Sequence, residues 1–497
     1  MSSLLNPLHT TPADLAGKVA LVVGLGESGL AMARWLQQQQ VKVLVTDTRA
    51  VPPGADALQT LVPGAEWRSR GTVLDAAAIA DCLQGVDLLA LSPGVAFDSP
   101  LIAAARDKAM PVWSEIDCFA VAQAALCPQS RVVAITGANG KTTTTALTAH
   151  LLNEAGVDAV ACGNISPSAL DAFMVRAATA TWPAVWVLEL SSFQLEATSA
   201  LKTDAAIILN LSADHLDRHR TMAAYAAAKG RVYTHCAHPL WNRADVWAKA
   251  YGVDLHQAQS IGEDAPISEQ DFGLVAGYLV QGDQQLVALT DLPLLGRHNA
   301  LNVQAALALA AHVLPTGKTL ADLLPGIQSF KGLPHRVDLI ATRNGVRYVD
   351  DSKATNVGAT LAAIEGLYDQ SHPGQGKLAM LLGGDGKGQD FTPLVAPVVR
   401  AGRAVALIGR DAEAIAQALS AALPESASGL LPVQRFHDLP SATRWLAAQA
   451  QAGDTVLLSP ACASLDMFRN YAERAQVFIE TVQTLGVDAP VQNGRAA

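Results

Sequence analysis

Residues 131–156 read RVVAITGANGKTTTTALTAHLLNEAG, and this stretch decides what kind of fold the chain has. Its opening residues form a short apolar run typical of a buried parallel strand, and Leu147 and Leu151 then recur at helical spacing. Gly156 stands where a helix-ending glycine is expected. The stretch therefore predicts a strand, a glycine-rich loop and a helix, which is the usual unit of an α/β fold with a parallel sheet.

The glycine-rich loop is shorter than the standard nucleotide-binding signature. That signature has a glycine at the position of Ile135, whereas the nearest glycine here is Gly137. The N–H groups of such a loop and the following helix N-terminus still converge on one point, which makes an anion site. A lysine there adds charge for terminal phosphates, and a threonine hydroxyl can bind Mg²⁺. A glycine turn with a solvated lysine is the alternative, but the flanking strand and helix favour a phosphate site. The residues predicted to bind ATP here are Gly137, Asn139, Gly140, Lys141, Thr142 and Thr143.

Length and composition limit the classes of protein that the chain can belong to. With 497 residues, of which 50% are hydrophobic and 16% charged, it predicts about three domains with ample material for cores. The net charge of −10 argues against a general nucleic-acid binder. Six cysteines with no C-x-x-C pair suggest reduced thiols. No signal peptide or run of ~20 apolar residues is evident, so we expect a cytoplasmic protein without a membrane span.

Short β-branched runs alternate with Ala- and Leu-rich helical stretches along the whole chain. This pattern predicts three α/β domains in series, covering residues 1–122, 123–332 and 333–497. We expect Rossmann-like parallel sheets at both ends and a P-loop ATPase-like domain between them. Glycine-rich alternating runs within residues 235–295 predict a small antiparallel sheet. Strands of the third domain are expected at residues 347–349, 378–382, 404–408 and 455–458, and residues 488–497 resemble a frayed tail.

A second glycine motif lies near the N-terminus. Gly24, Gly26 and Gly29 match G-x-G-x-x-G after an apolar strand, and Asp47 closes the next strand about twenty residues on. Alone, this motif indicates an NAD-dependent dehydrogenase, whose acid would bind a ribose hydroxyl. A hydride-transfer enzyme has no use for the second phosphate loop, however, so the two motifs suggest two different nucleotide-like ligands. A Rossmann-type domain that binds nothing is a third possibility.

Two side chains with metal-binding chemistry follow strands of the central domain. Glu189 ends one strand and His215 comes just past another, and ligands of parallel sheets lie beyond these strand ends. Together they could hold a divalent ion beside the γ-phosphate, although a lone histidine is more often structural. Lys229 has the spacing of a solvated helix lysine. Weaker candidates are Asp214, Asp217 and His219, and Asp217 could instead cap a helix.

Ordered motifs from residue 17 to residue 486 resemble those of the Mur ligases. In chain order they are GANGKT, GNIS, ELSSFQLE, ADHLDRH, AAK, GRHN, GLPHRVD, DDSKATN, GGDGKG and SPACASLDMF. Among them, DDSKATN and SPACASLDMF most resemble the members that add D-glutamate. Two positions depart from the family pattern: Ser166 stands where glycine is usual, and Tyr471 where phenylalanine is common. Folylpolyglutamate synthases and other Mur ligases share the ATP loop and remain the alternatives.

The resemblance implies an ATP-dependent amide ligase of peptidoglycan synthesis that works through an acyl phosphate. Its substrates would be UDP-N-acetylmuramoyl-L-alanine and D-glutamate, and it would act as a monomer without nucleic acid.

The resemblance also implies a role for each matching residue. The uridine nucleotide, rather than NAD, would be bound by Ser28, Asp47, Thr48, Arg49, Ser92, Pro93 and Gly94. Further ATP contacts would come from Asn299, Asn302, Arg336 and Asp351. D-Glutamate would be bound by Lys353, Thr355, Lys387, Ser464, Leu465 and Tyr471. The catalytic residues would be Lys141, Asn164, His215 and Lys229. Two Mg²⁺ ions would be held by Thr142, Glu189, His215 and Lys229, the lysine carrying a CO₂-derived carbamate.

Overall fold

A computed structural model describes residues 5–71, 75–252, 258–294, 296–368, 376–422 and 431–485. The chain divides into two compact units. The first comprises residues 1–211, 215–292 and 301–330, and the second comprises residues 212–214, 293–300 and 331–497. Among the helices that the structure describes, none has the length and apolar character of a membrane span. The tail expected at residues 488–497 lies outside the described residues.

The first unit opens with a parallel sheet. Its strands are β1 (Val19–Val23), β2 (Lys42–Asp47), β3 (Glu66–Arg70), β4 (Leu88–Leu91) and β5 (Val112–Ser114). The helices of this part are α1 (Glu27–Gln38), α2 (Ala55–Leu61), α3 (Ala76–Cys82), α4 (Pro100–Asp107) and α5 (Glu115–Leu126). The order is β3-β2-β1-β4-β5, and every pairing is parallel. The chain builds outward on both sides of the β1–β4 pair, so the loops after these two strands frame a crevice.

A second parallel sheet of the same unit carries the phosphate loop. Its strands are β6 (Arg131–Thr136), β7 (Ala159–Gly163), β8 (Val185–Glu189), β9 (Thr203–Ile208), β10 (Cys236–Asn242) and β11 (Gln259–Ile261). Their order is β11-β10-β9-β6-β8-β7, all parallel. The accompanying helices are α6 (Lys141–Glu154), α7 (Ala169–Thr179), α8 (Ser192–Ala197), α9 (Leu216–His219), α10 (Met222–Gly230), α11 (Val246–Gly252), α12 (Arg297–Ala311) and α13 (Leu324–Ser329). The predicted strand, loop and helix of residues 131–156 are confirmed as β6, the loop and α6.

The prediction for residues 235–295 is half right. A small antiparallel sheet is formed by β12 (Phe272–Val275), β13 (Tyr278–Gln281) and β14 (Gln284–Ala288). The strands β10 and β11 instead extend the large parallel sheet, so the antiparallel prediction is wrong for them. The sequence CAHPLWN of β10 holds a proline and no β-branched residue, which hides a strand whose Leu240 and Trp241 are buried.

Helix α5 joins the cores of the two parallel sheets. Its Phe119 meets the ring of Trp186 edge-on at a centroid distance of 5.5 Å and that of Phe173 at 6.1 Å. One buried apolar cluster contains residues of both sheets. The domain boundary expected at residue 122 falls inside this helix, and the division into three domains at residues 122 and 332 stays a prediction.

The second unit contains one mixed sheet. Its strands are β15 (Asp338–Arg343), β16 (Val346–Asp350), β17 (Leu378–Gly383), β18 (Gly402–Ile408), β19 (Val433–Arg435) and β20 (Thr455–Leu458). Its helices are α14 (Val357–Leu367), α15 (Thr392–Ala401), α16 (Ala412–Ala422), α17 (Leu439–Gln449) and α18 (Tyr471–Thr484). The order is β15-β16-β20-β17-β18-β19, with only the β15–β16 pairing antiparallel. The strands expected from the sequence are confirmed, whereas the more exposed edge strands β15 and β19 were not expected.

Candidate active site

The phosphate loop ends in a glycine that no other residue could replace without strain. Gly140 is the N-cap of α6 and has a φ of +83°, and a Cβ there would lie 2.5 Å from Oδ1 of Asn302. The same Asn302 oxygen accepts a hydrogen bond from the Thr144 hydroxyl at 3.3 Å. The glycine therefore lets the α6 N-terminus approach α12 closely, with its N–H groups facing the loop.

A residue that the sequence analysis missed, Asn210, clamps this loop. Its Oδ1 accepts from the N–H of Asn139 at 2.9 Å, and its Nδ2 donates to the carbonyl of Asn139 at 3.0 Å. Its own carbonyl accepts from the N–H of Ala138 at 2.7 Å. Asn210 follows β9, the strand beside β6, and a polar residue just past a buried strand was the signal available in the sequence.

We expect Asn210→Ala to weaken ATP binding about thirtyfold. The change removes two hydrogen bonds of about 1 kcal/mol each, and a loss of ~1.4 kcal/mol is a factor of ten in affinity. Calorimetric titration with ATP measures the effect. Asn153→Ala is a matched control, because the Asn153 amide makes the same pair of bonds to Ala159, both at 3.0 Å, at the start of β7. Equal losses of ATP affinity in the two variants would contradict the claim that Asn210 holds the phosphate loop in place for ATP.

Two lysines donate to backbone oxygens of the loop. The Lys141 Nζ atom lies 2.8 Å from the carbonyl oxygens of both Gly137 and Ala138. Lys229, on α10, is only 2% exposed and donates to the Thr136 hydroxyl at 3.2 Å and to the Gly137 carbonyl at 2.9 Å. The interpretation of Lys229 as a solvated helix lysine is therefore wrong. Burying an ammonium is costly unless it is well paired, so its place under the loop points to function.

Glu189 places a carboxylate beside β6, the strand that precedes the phosphate loop. It ends β8 and pairs with Ile135 of β6. Its Oε1 accepts from Nδ2 of Asn164 at 2.8 Å, whereas its buried Oε2 has no hydrogen-bond partner within the described part of the chain. An unpartnered buried carboxylate oxygen is costly, and oxygen is the ligand that Mg²⁺ prefers. The chemistry of this carboxylate therefore fits a site for a divalent cation.

His215 is the N-cap of α9, beyond the end of β9. Its backbone lies in the left-handed region at a φ of +53°, and its ring meets that of Phe193 at a centroid distance of 4.7 Å. No group of three or more His, Cys, Asp or Glu side chains suited to a metal occurs among the described residues. A set built on Glu189, His215, Thr142 and a modified lysine would contain only two side chains of those types.

The weaker candidates near His215 have other partners or exposed positions. His219 is buried, bonds to the Ser192 hydroxyl at 2.9 Å and pairs with Glu196 at 3.3 Å. Burial lowers the pKa of His219 below its usual value. Asp217 is exposed in the first turn of α9. Asp214 lies 3.4 Å from the Asn356 amide, both of these residues belonging to the second unit. These contacts give His219 a structural role.

A cavity of about 700 Å³ opens between the loops after β1 and β4. All the residues expected to bind the uridine nucleotide line it: Ser28, Asp47, Thr48, Arg49, Ser92, Pro93 and Gly94. The Asp47 carboxylate accepts from the N–H of Leu25 at 2.8 Å and from the Arg49 guanidinium at 2.9 and 2.7 Å. Burial alone would raise the pKa of Asp47, but the bonds from Arg49 and Leu25 outweigh it and lower the pKa to about 2. This acid holds the glycine turn and orients Arg49. In a dinucleotide site it would instead be expected to bind a ribose hydroxyl.

Several residues expected to bind D-glutamate lie together at strand ends of the second unit. The Lys353 ammonium lies 3.8 Å from the ring centroid of Tyr471. Asp385 and Ala463 exchange backbone bonds of 2.9 and 2.8 Å, which joins the loop of Lys387 to that of Ser464. Leu465 is 71% exposed. Thr355 is half-buried and Lys387 exposed, with a φ of +52°.

The remaining expected ATP contacts belong to the second unit. Asp351 is buried and accepts from the Ser459 hydroxyl at 2.8 Å, and burial raises its pKa to about 7. Arg336 lies between His335 and Val337, which both have positive φ. Asn299 is buried in the first turn of α12, one turn before Asn302.

Comparisons with known proteins find matches in both units of the chain. Three family models match: the Mur ligase MurD-like N-terminal domain at residues 18–114, the Mur ligase middle domain at residues 135–310 and the Mur ligase glutamate ligase domain at residues 335–462. A protein of Dechloromonas aromatica named UDP-N-acetylmuramoylalanine–D-glutamate ligase is 53% identical, with 95% of this chain and 99% of the relative aligned. A protein of the same name from Aromatoleum aromaticum is 47% identical, covering 95% of this chain and 98% of the relative.

Solved structures share the fold at low sequence identity. UDP-N-acetylmuramate-alanine ligase MurC of Thermotoga maritima matches at a TM-score of 0.55 and 18% identity, over 94% of this chain and 99% of its own. MurF of Acinetobacter baumannii matches at a TM-score of 0.56 and 16% identity, over 96% and 92%.

Proposed function

Because the chain belongs to the Mur ligase family, we propose that it joins D-glutamate to UDP-N-acetylmuramoyl-L-alanine and converts ATP to ADP and phosphate. Ligases of this family depend on ATP. The observation that carries the choice of substrates is the 53% identity, over nearly the full length of both chains, to a relative named for this reaction. The cavity and the clamped phosphate loop support a uridine nucleotide and ATP as its two nucleotide ligands.

The chemistry requires an activated acid, because a carboxylate does not condense with an amine in water. In the proposed path the carboxylate of the uridine substrate attacks the γ-phosphate of ATP, the bond to ADP breaks, and an acyl phosphate forms. The D-glutamate amine then attacks the acyl carbon, and phosphate leaves from the tetrahedral adduct. Lys141 would offset the negative charge of the phosphoryl group during transfer, since its ammonium already lies at the loop.

The proposed metal ligands are Thr142, Glu189, His215 and Lys229, the last as a carbamate formed with CO₂. Bound Mg²⁺, as two ions, would supply positive charge to the phosphate oxygens. The buried Oε2 of Glu189, which has no hydrogen-bond partner among the residues that the structure describes, supports this assignment. A carbamate would turn the buried Lys229 from a cation into an oxygen ligand. Asn164 would hold Glu189 in place through its 2.8 Å bond.

In the second unit, we propose that Lys353 and Lys387 bind the carboxylates of D-glutamate, with Thr355, Ser464, Leu465 and Tyr471 around them. Asn299, Asn302, Arg336 and Asp351 would contact ATP. The chain would act as a cytoplasmic monomer. The lysine charges at these strand ends support an amino acid with two carboxylates.

We expect phosphate release from ATP, in the presence of UDP-N-acetylmuramoyl-L-alanine, to be at least about a hundredfold faster with D-glutamate than with other amino acids. A site built to pair a given polar group rejects analogues that lack or misplace it by such factors. The assay compares D-glutamate with L-glutamate, meso-diaminopimelate and L-lysine. A preference for a diamino acid would assign the chain to another ligase of the family. Binding of a nicotinamide cofactor, measured in parallel, would favour the dehydrogenase alternative.

A further inference from the structure

The backbone of His215 needs support from its surroundings. A non-glycine residue persists in the left-handed region only where neighbouring contacts hold it, and His215 has a φ of +53°. The helix that it caps, α9, is a single turn of Leu216–His219. The contacts of this one turn therefore contribute to the position of His215.

Arg218 makes three polar side-chain contacts from that turn. Its Nη1 donates to the carbonyl of Pro93 at 2.9 Å, and its Nη2 donates to the carbonyl of Val95 at 3.0 Å. Its Nη2 also pairs with Oε2 of Glu196 at 2.7 Å, and the arginine side chain is only 15% exposed. Pro93 and Val95 belong to the turn after β4 that lines the cavity. One guanidinium thus joins the wall of the cavity to the second sheet.

The same arginine is linked to His215 along two routes. Its backbone N–H donates to the His215 carbonyl at 3.1 Å. Its guanidinium carbon lies 4.4 Å from the ring centroid of Phe193, and the Phe193 ring lies 4.7 Å from the ring of His215 and 5.6 Å from that of His219. A displacement of the Arg218 side chain therefore changes the packing of His215 as well as the cavity turn.

We propose that Arg218 is a positioning residue that fixes the cavity turn Pro93–Val95 relative to His215, and so sets the reach of the uridine substrate into the site of phosphoryl transfer. The inference rests on the proposed function and deepens it. A planar guanidinium can bond two carbonyls and a carboxylate at once, which a lysine ammonium cannot do with the same geometry. Misplacement of a bound substrate by about 1 Å costs about a hundredfold in rate.

Steady-state kinetics of Arg218→Met test the proposal. We expect the KM for UDP-N-acetylmuramoyl-L-alanine to rise about tenfold and kcat to fall about tenfold, which together make the hundredfold loss expected for misplacement. The KM for D-glutamate should stay within about twofold. The KM for the uridine substrate and the kcat of Arg218→Lys should lie between those of Arg218→Met and those of the wild type, because the lysine can keep one of the carbonyl bonds.

Arg220→Gln is the matched control. Arg220 lies two residues on and contacts the same loop, through Asp98 at 3.2 Å, but the two side chains are 80% and 73% exposed. Such an exposed pair contributes little, so this variant should behave as the wild type.

Three outcomes would overturn the inference. In the first, Arg218→Met lowers kcat at an unchanged KM for the uridine substrate, so that binding of this substrate does not depend on Arg218. In the second, Arg220→Gln shows the same losses. The third outcome applies if Arg218→Met does not fold. In that case, wild-type values of KM and kcat for Arg218→Lys would overturn the inference. A wild-type chain that does not ligate D-glutamate instead overturns the proposed function itself, and the two failures are thereby distinguished.

Discussion

Lys229→Ala is expected to lower the rate of ligation at least about a thousandfold, which is the cost of removing a group that stabilises phosphoryl-transfer charge. The lysine is buried beneath the phosphate loop, with Nζ 2.9 Å from the Gly137 carbonyl. If it carries a carbamate, alanine removes an anionic metal ligand and leaves a space that a small carboxylate can enter. Phosphate release from ATP should therefore return in part when formate or acetate is added.

Two controls separate this chemistry from a loss of folding. Lys249→Ala changes an exposed lysine in the last turn of α11, as Lys229 is in the last turn of α10, and should leave activity unchanged. Thermal unfolding of both variants shows whether the buried site has lost its structure. Full activity of Lys229→Ala would remove the carbamate hypothesis, and a folded but inactive variant that no carboxylate rescues would assign the lysine another role.

The second large effect is expected for Lys141→Ala, with a loss in kcat/KM for ATP of about a thousandfold or more. The ammonium lies 2.8 Å from the carbonyls of Gly137 and Ala138, close to where the terminal phosphates would be bound. Lys141→Arg should rescue poorly, because the guanidinium is larger than the compact ammonium and holds its donors in a fixed planar fork.

Affinity for the uridine nucleotide is the internal control for this variant. The cavity is lined by residues of the first sheet, including Asp47 and Arg49, and does not contain Lys141. Calorimetric titration with UDP should therefore give the same dissociation constant for Lys141→Ala and the wild type. Retention of ATP-dependent ligation in this variant would refute the phosphate-loop assignment, whereas a parallel loss of UDP binding would indicate a folding defect.

Much of the fold and of the phosphate loop could be predicted from local patterns. The apolar run of β6, the glycines of the loop and the helical spacing of α6 are adjacent in sequence, so one window contains them all. The G-x-G-x-x-G motif likewise predicted the glycine turn after β1, which lies at the cavity. The roles of Lys353 and Tyr471 came only from the family resemblance.

What the sequence could not predict depends on contacts between distant segments. Lys229 is buried because α10 brings it beneath Thr136 and Gly137, 93 and 92 residues away in the chain. Asn210 clamps Asn139 across 71 residues. The pattern of apolar and polar residues within α10 or β9 does not indicate which distant residues these elements contact. The strand β10 was missed for a local reason, because its proline and its lack of β-branched residues resemble a loop.

The packing of Phe119 against Trp186 and Phe173 limits how the chain can be divided. A fragment ending at residue 122 would cut α5 and separate Phe119 from Trp186 and Phe173, which leaves part of the shared apolar cluster facing water and favours self-association. Anyone who wishes to study the uridine pocket in isolation should therefore place the cut after residue 330 and retain the phosphate loop with it.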